Sequence, residues 1–396
     1  MKILIADKLS KTAVEALKAA GMKKVEMDPD LTTETLPSAV APYDILVVRS
    51  TKVTEEVIRA GVNLSLIVRA GAGVNTIDLK TASLLGIHVA NCPGKNTAAV
   101  AELVMGLMIA ADRRIADCTA DLRAGVWNKK LYSKAAGIKG RTLGIIGMGA
   151  IGRAVAKRAK GFEMNVAAWS RSLTPERAEE LGIVYCENPL DAARQSDVVT
   201  VHLAASADTK HFIDTAFFSE MKENSIFINT SRGEIVDTAA LKKAAETKGL
   251  KIALDVYENE PPATSNEFTD TGLAAAVTGT HHIGASTSQA AESVAAETVR
   301  VITEYRSTGT PPNVVNLRDK NDTDINLVVR HFNHVGILAG VLDEIRTAGI
   351  NIEEMQNSIF KGDKAAVCTI KLDNMPGDEL LQKIAAVDDI INVSLK

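Results

Sequence analysis

From residue 2 to residue 93, short apolar runs alternate with stretches of helical periodicity. Residues 2–6, 45–48, 66–69 and 88–91 read as strands, and 11–20, 54–60 and 79–85 as helices. Near-continuous apolar strands separated by helices are what a parallel sheet covered on both faces requires. Residues 97–114 then form one long helix, apolar enough to be expected buried between domains. A second βα series opens at 143–146 and continues with strands at 165–169, 198–203, 225–229, 251–255 and 275–278. The helix 289–306 is assigned back to the first domain. The chain leaves the second series after His282, and 311–316 resumes extended structure.

Beyond a charged linker at 318–323 the period changes. A strand at 324–330, a helix at 336–348, strands at 351–360 and 365–372, a helix at 378–387 and a strand at 390–395 give a βαββαβ order, which is ferredoxin-like. No internal repeat or low-complexity tract interrupts the series.

The second series begins with Gly147-Met148-Gly149-Ala150-Ile151-Gly152, between a β-branched run and a helix. In this setting the first glycine allows the turn out of the strand and the second lets backbone approach a pyrophosphate. The third lets the helix pack on the strand. The helix N-terminus then faces the phosphates with free N–H groups. A dinucleotide site is therefore expected here, at the head of a doubly wound domain.

Composition adds exclusions. At 396 residues the chain exceeds one ordinary domain, and a net charge of −4 gives no global attraction to nucleic acid or anionic membrane. Four scattered cysteines lack metal-ligand or disulfide spacing and fit a reducing cytosol; no metal is expected. The opening residues already read as a strand, leaving no room for a signal peptide. The apolar stretch at 98–111 contains Glu102 and is too short for a membrane span. A cytoplasmic location without membrane or nucleic-acid partners is expected.

Candidate chemistry sits at strand ends. After the second strand of the nucleotide series stands Trp169-Ser170-Arg171-Ser172, with no carboxylate where a ribose 2′-hydroxyl would be held. Arg171 and Ser170 instead offer donors for a 2′-phosphate, leaning towards NADP or relaxed choice between NAD and NADP. Arg232 follows the strand at 225–229, Glu258 and Glu260 follow 251–255, and His281 and His282 follow the last strand. Arginine, carboxylate and histidine at successive strand ends can supply an anion anchor, an orienter and a proton carrier.

These stretches resemble the D-isomer-specific 2-hydroxyacid dehydrogenase family. The resemblance runs over about residues 1–316. It includes 143–153, 229–237, 255–262 and 282–287, the Pro93-Gly94-x-Asn96-x-x-x-Val100-Ala101-Glu102 pattern, and Gly125-Val126-Trp127-Asn128-Lys129. By matching positions it places the catalytic arginine on Arg232, the glutamate on Glu260, which directly precedes Pro261, and the histidine on His282, which Ile283-Gly284 follow. His281 stands where relatives have proline. The same resemblance implies cofactor contacts from residues 147–152, Ser170, Arg171, His202, Thr230, Asp255 and Gly284, with Asp255 on the nicotinamide amide. For substrate it implies Arg49 and Ser50 at a phosphate, backbone N–H groups of Gly73 and Val74 at a carboxylate, and further cleft positions at Arg69, Asn96 and Lys129. His202-Leu203-Ala204 departs from the usual His-x-Pro.

The tail at 324–396 resembles an ACT domain, an amino-acid-sensing module. His331, Asn333 and Asn351 match its effector positions, with L-serine as the implied effector, while His334-Val335 replaces the usual Arg-Pro. The resemblance implies an α/β chain with a Rossmann-type nucleotide domain (94–283) inserted in a flavodoxin-like substrate domain (1–93 and 284–316), followed by the ACT domain (324–396). It implies oxidation of a phosphorylated 2-hydroxy acid by NAD or NADP. Trp127 and the helix at 97–114 favour a homo-oligomer, a dimer or tetramer. Two other readings stay open: an NADPH-dependent glyoxylate or hydroxypyruvate reductase, and an NAD(H)-sensing corepressor-like binding protein. The ACT-like tail argues against both.

Overall fold

A computed structural model describes residues 1–261, 265, 267–318 and 325–396. Most of the expected linker, the strand residue Asp324 and Pro262 lie outside the described residues. The chain forms two compact units, Met1–Leu317 and Arg318–Lys396.

In the first unit, strands β1 (Lys2–Ile5), β2 (Lys24–Met27), β3 (Ile45–Val48), β4 (Leu66–Arg69) and β5 (His88–Asn91) make a parallel sheet of order β2-β1-β3-β4-β5. That is the flavodoxin-like order. Side-chain alternation along each strand feeds two cores. Leu4, Leu46, Ile67 and Val89 pack under the helices Leu36–Val40, Glu55–Ala60 and Leu79–Leu84. Ile3, Ile45, Leu66 and Ala90 pack on the other face with Leu17, Val301, Ile302 and Tyr305. The helix Ser288–Thr308 therefore rests on the first sheet, as its pattern suggested. Val315 then donates to the Val89 carbonyl at 2.8 Å, tying the extended segment to β5.

The second sheet contains β6 (Thr142–Ile146), β7 (Asn165–Trp169), β8 (Val184–Tyr185), β9 (Val198–Val201), β10 (Ile226–Asn229), β11 (Lys251–Leu254) and β12 (Val277–Gly279). Its order is β12-β11-β10-β9-β6-β7-β8, all parallel, the doubly wound arrangement with one added strand. Its segments enter the chain after β5 and leave before the helix Ser288–Thr308, so this Rossmann-type part is inserted into the first. The helix Thr97–Arg113 lies mainly on this sheet, with Val104, Met108 and Ala111 against Leu143, Ile226 and Ala253. Only its first turns reach the return crossover, where Val100 and Leu103 border Gly284. The helix is buried as expected along one face, with nine of its residues buried.

The second unit is antiparallel. Strands β13 (Ile325–Phe332), β14 (Ile352–Ile359), β15 (Ala365–Leu372) and β16 (Ile390–Leu395) are ordered β14-β15-β13-β16, with the first and third strands central. Leu327, Val329, Cys368 and Ile370 pack under Val341, Ile345, Leu380 and Ile384 from its two helices. This is the ferredoxin-like arrangement. No helix among the described residues is long and apolar enough to cross a membrane.

Candidate active site

The turn after β6 has the geometry that its three glycines suggest. Gly147 has φ +105, a conformation costly for any other residue, and a Cβ there would come within 2.6 Å of the His202 carbonyl oxygen. A Cβ on Gly152 would strike the Gly147 carbonyl, so the helix Ala150–Gly161 can sit this close to the turn only without one. Around Gly149 nothing lies within 4 Å of an added Cβ, and no side chain caps the helix. Ala150 is exposed there and Ile151 half-buried, while Met148 is buried and its carbonyl accepts from Arg153 at 3.2 Å.

This open helix N-terminus fits a pyrophosphate. Two polar atoms at the ends of the adjoining strands, Thr230 Oγ1 and His202 Nδ1, are buried without partners among the described residues. Burial pushes the His202 imidazole down to about 3, so it is neutral across any working pH. Its Nε2 lies 3.1 Å from Thr200 Oγ1. At the end of β7, Ser170 is half-buried and Arg171 exposed, and the Arg171 guanidinium pairs with no described residue. Trp169 beside them stacks on Phe212, with centroids 5.4 Å apart.

The three residues expected to react come from neighbouring strand ends. His282 Nδ1 meets Glu260 Oε2 at 2.8 Å, leaving Nε2 without a partner among the described residues, and Glu260 Oε1 accepts the Tyr257 N–H at 3.1 Å. Burial tends to raise the Glu260 carboxyl, but the contacts with His282 and Tyr257 and the charge of Arg232 hold it below the ordinary range. Arg232 begins the turn Gly233–Ile235. Buried Asn229 fixes this turn, donating to the Arg232 carbonyl at 2.9 Å and accepting from Ser231 N–H and Oγ.

Asp255 is 1% exposed, and its carboxylate is taken up by the histidine loop. It accepts from Thr280 Oγ1 at 2.6 Å and from the N–H groups of Ile283 and Gly284 at 2.8 Å each, while its carbonyl accepts from His282 N–H. His282 itself has φ +52, the left-handed region. Sequence reasoning did not foresee this clamp. It also occupies the N–H of Gly284, a residue expected to contact the cofactor.

Across the cleft, Arg69 is largely buried and its Nε has no partner among the described residues. Burial, and then the charges of Arg232 and Arg49, push its guanidinium below the ordinary arginine value. Three arginines from two sheets thus share one electrostatic neighbourhood, and none forms an ion pair with a described carboxylate. A Cβ on Gly73 would lie 2.5 Å from Arg232 Nη2, so the two loops approach across the cleft. The N–H groups of Gly73 and Val74 have no partner among the described residues, while Asn91 pins their loop through the Ala72 carbonyl at 2.6 Å. The N–H groups of Arg49, Ser50 and Thr51 all converge on Asp7 Oδ2, at 2.7–3.2 Å. Asp7 was not foreseen in this position; the convergence of two distant loops has no local signal.

Asn96 precedes the helix Thr97–Arg113 without capping it through its side chain. Lys129 stands on an exposed segment: the helix Ile115–Arg123 before it buries no residue, and Leu122, Val126 and Trp127 are exposed. In the second unit, His331 is 2% exposed, between the Phe332 carbonyl and Asn357 Oδ1. Asn333 bonds the Asp363 carbonyl, near the same end. Asn351 is at the other end, its N–H on Asp373, so one copy does not gather the three expected effector residues.

A doubly wound sheet with this helix N-terminus, facing an Arg–Glu–His set, defines a dinucleotide-dependent oxidoreductase. The profile of the D-isomer specific 2-hydroxyacid dehydrogenase NAD binding domain matches residues 105–284. The chain is 35% identical to D-3-phosphoglycerate dehydrogenase of Methanocaldococcus jannaschii, over 92% of this chain and 68% of that one. It is 39% identical to hydroxypyruvate reductase of Thermotoga maritima, over 76% and 97%. NAD+-bound 3-phosphoglycerate dehydrogenase of Entamoeba histolytica superposes with a TM-score of 0.67 at 27% identity, over 80% of this chain and 99% of that one. The chain belongs to the D-isomer specific 2-hydroxyacid dehydrogenase family. It spans about half the length of several further curated relatives named D-3-phosphoglycerate dehydrogenase.

Proposed function

We propose that the protein is a D-3-phosphoglycerate dehydrogenase, oxidising 3-phosphoglycerate to 3-phosphohydroxypyruvate in the first step of L-serine biosynthesis. The observation that carries this reading is the cluster of Arg49, Arg69 and Arg232. Three guanidiniums without carboxylate partners among the described residues call for a ligand with more than one negative charge, and phosphate plus carboxylate supplies it. In this reading Arg232 holds the carboxylate with the Gly73 and Val74 N–H groups, while Arg49, Ser50 and Arg69 take the phosphate end. Asn96 contributes from the cleft side of its helix.

His282 Nε2, directed by the Glu260 contact at Nδ1, takes the proton from the C2 hydroxyl. A nicotinamide held there would supply the hydride acceptor for C2. Residues 147–152, Thr230 and His202 hold the dinucleotide, and Asp255 keeps the histidine loop against it. Closure of residues 1–93 and 284–316 on 94–283 excludes water.

Unpaired Arg171, with no carboxylate beside it, supports use of NADP or of both cofactors. The same feature favours a second reading, a reductase of glyoxylate or hydroxypyruvate. The exposed segment with Trp127 and Lys129 supports a homo-oligomer. The ferredoxin-like unit at 324–396 is read as an ACT domain. Because one copy separates Asn351 from His331 and Asn333, a serine site would need two copies.

The test is steady-state turnover of 3-phosphoglycerate, hydroxypyruvate and glyoxylate with each cofactor couple, with and without L-serine. Preference for the phosphorylated pair supports the proposal, and suppression by serine supports the effector site. Turnover confined to unphosphorylated keto acids sinks it in favour of the reductase.

A further inference from the structure

We propose that Glu258 is a positioning residue, paired with His211, that fixes the loop carrying Glu260 against the loop carrying Arg232. The inference rests on the reading of Arg232, Glu260 and His282 as the reacting set. Two glutamates lie two residues apart after β11, and only Glu260 meets His282. Glu258 turns the other way. Its Oε1 lies 2.5 Å from His211 Nε2, and its Oε2 accepts the Thr238 N–H at 3.2 Å.

Each partner belongs to a different segment. His211, held at φ +50, donates its N–H to the Glu234 carbonyl at 2.9 Å, inside the turn that follows Arg232. Ile213 and Asp237 extend this seam through Ile213 N–H to the Ile235 carbonyl and Asp237 N–H to the Ile213 carbonyl, each 3.0 Å. Gly233 packs so closely on the peptide after Tyr257 that a Cβ would strike the Tyr257 carbonyl. Three segments thus meet at one carboxylate: 202–213 with His202, 230–238 with Arg232, and 255–261 with Glu260. Burial tends to raise the Glu258 carboxyl, but the hydrogen bonds from Thr238 and His211 hold it below the ordinary range.

The pair is partly exposed, with side chains 42% and 23% accessible, so its direct contribution to folding is small. Its effect belongs in the geometry of the reacting groups, where a displacement of about 1 Å costs as much as about 100-fold in rate.

The experiment is a double-mutant cycle on the full chain, with Glu258→Gln, His211→Asn and the double variant. It measures kcat, KM, cofactor Kd by fluorescence titration, and thermal melting. Each single variant is expected to lose about tenfold in kcat, with substrate KM and cofactor Kd within about twofold, and the double variant to lose no more than either single. Should Glu258→Gln melt early, His211→Asn carries the same test from the more exposed side. Unchanged kcat in His211→Asn, or losses that multiply in the double variant, would overturn the pairing. A wild-type chain inactive on every 2-hydroxy acid would instead remove the underlying reading; an active one with unaffected variants removes the positioning role alone.

Discussion

Glu297 shows how much one carboxylate can organise. Only 6% exposed, it receives Arg300 from its own helix, Lys95 from the first crossover at 3.1 Å and Asn313 from the returning segment at 2.8 Å. The Arg300 contact, with those of Asn313 and Lys95, holds its carboxyl down to about 2. The folded value lies below the unfolded one, so its stabilisation is complete above the ordinary carboxylate range near 4.5 and is lost as pH falls towards 2. Thermal melting between pH 6 and pH 2.5 should therefore drop less steeply for Glu297→Gln than for the wild type, the variant being the less stable at pH 6. Parallel acid limbs would show that Glu297 does not carry this linkage. The sequence made the Arg232, Glu260 and His282 set legible because all three leave strand ends of one sheet. The clamp on Asp255 was not legible, since its partners stand 25–29 residues further on and two of them act only through backbone N–H groups. Glu258 was visible but idle in sequence, because His211 has no motif.

At the scale of elements, the turn from β6 into the helix Ala150–Gly161 is the most constrained. Ala at position 152 would gain about 1 kcal/mol of helix propensity. It would also force a Cβ into the Gly147 carbonyl, a backbone group that cannot swing aside. Gly152→Ala is expected to lower stability by about 1–3 kcal/mol net and cofactor affinity by at least about tenfold. Denaturant melts and cofactor titration check this; an unchanged affinity would mean the turn relaxes without disturbing the phosphate cradle. Those elements that were given bounds were read from their period to within a residue or two. The short helix Leu36–Val40 was missed although it buries both its ends, because five residues are too few to show a period. Others missed lack a buried face: β2 is mostly exposed at a sheet edge, β8 is two exposed residues, and the helix Ile115–Arg123 buries nothing. Periodicity reports burial, and no residue of these last three elements is fully buried.

At the scale of the first unit, two parallel sheets bring the carboxyl ends of β3 and β4 to face those of β10 and β11, and function follows from that confrontation. Alternating βα patterns made each sheet legible separately. The convergence of Arg49 and Arg69 with Arg232 was reached only through the family resemblance, because periodicity does not say how the inserted part folds back over its host. The central claim is that Arg232 anchors substrate while His282, directed by Glu260, moves the proton. His282→Ala is the most direct test, with kcat on the best 2-hydroxy acid substrate and cofactor Kd measured on the same preparation. The expected result is a fall in kcat of about 10²- to 10⁴-fold with cofactor Kd unchanged within about twofold. Turnover retained at the wild-type level would contradict the account and move the proton to another group.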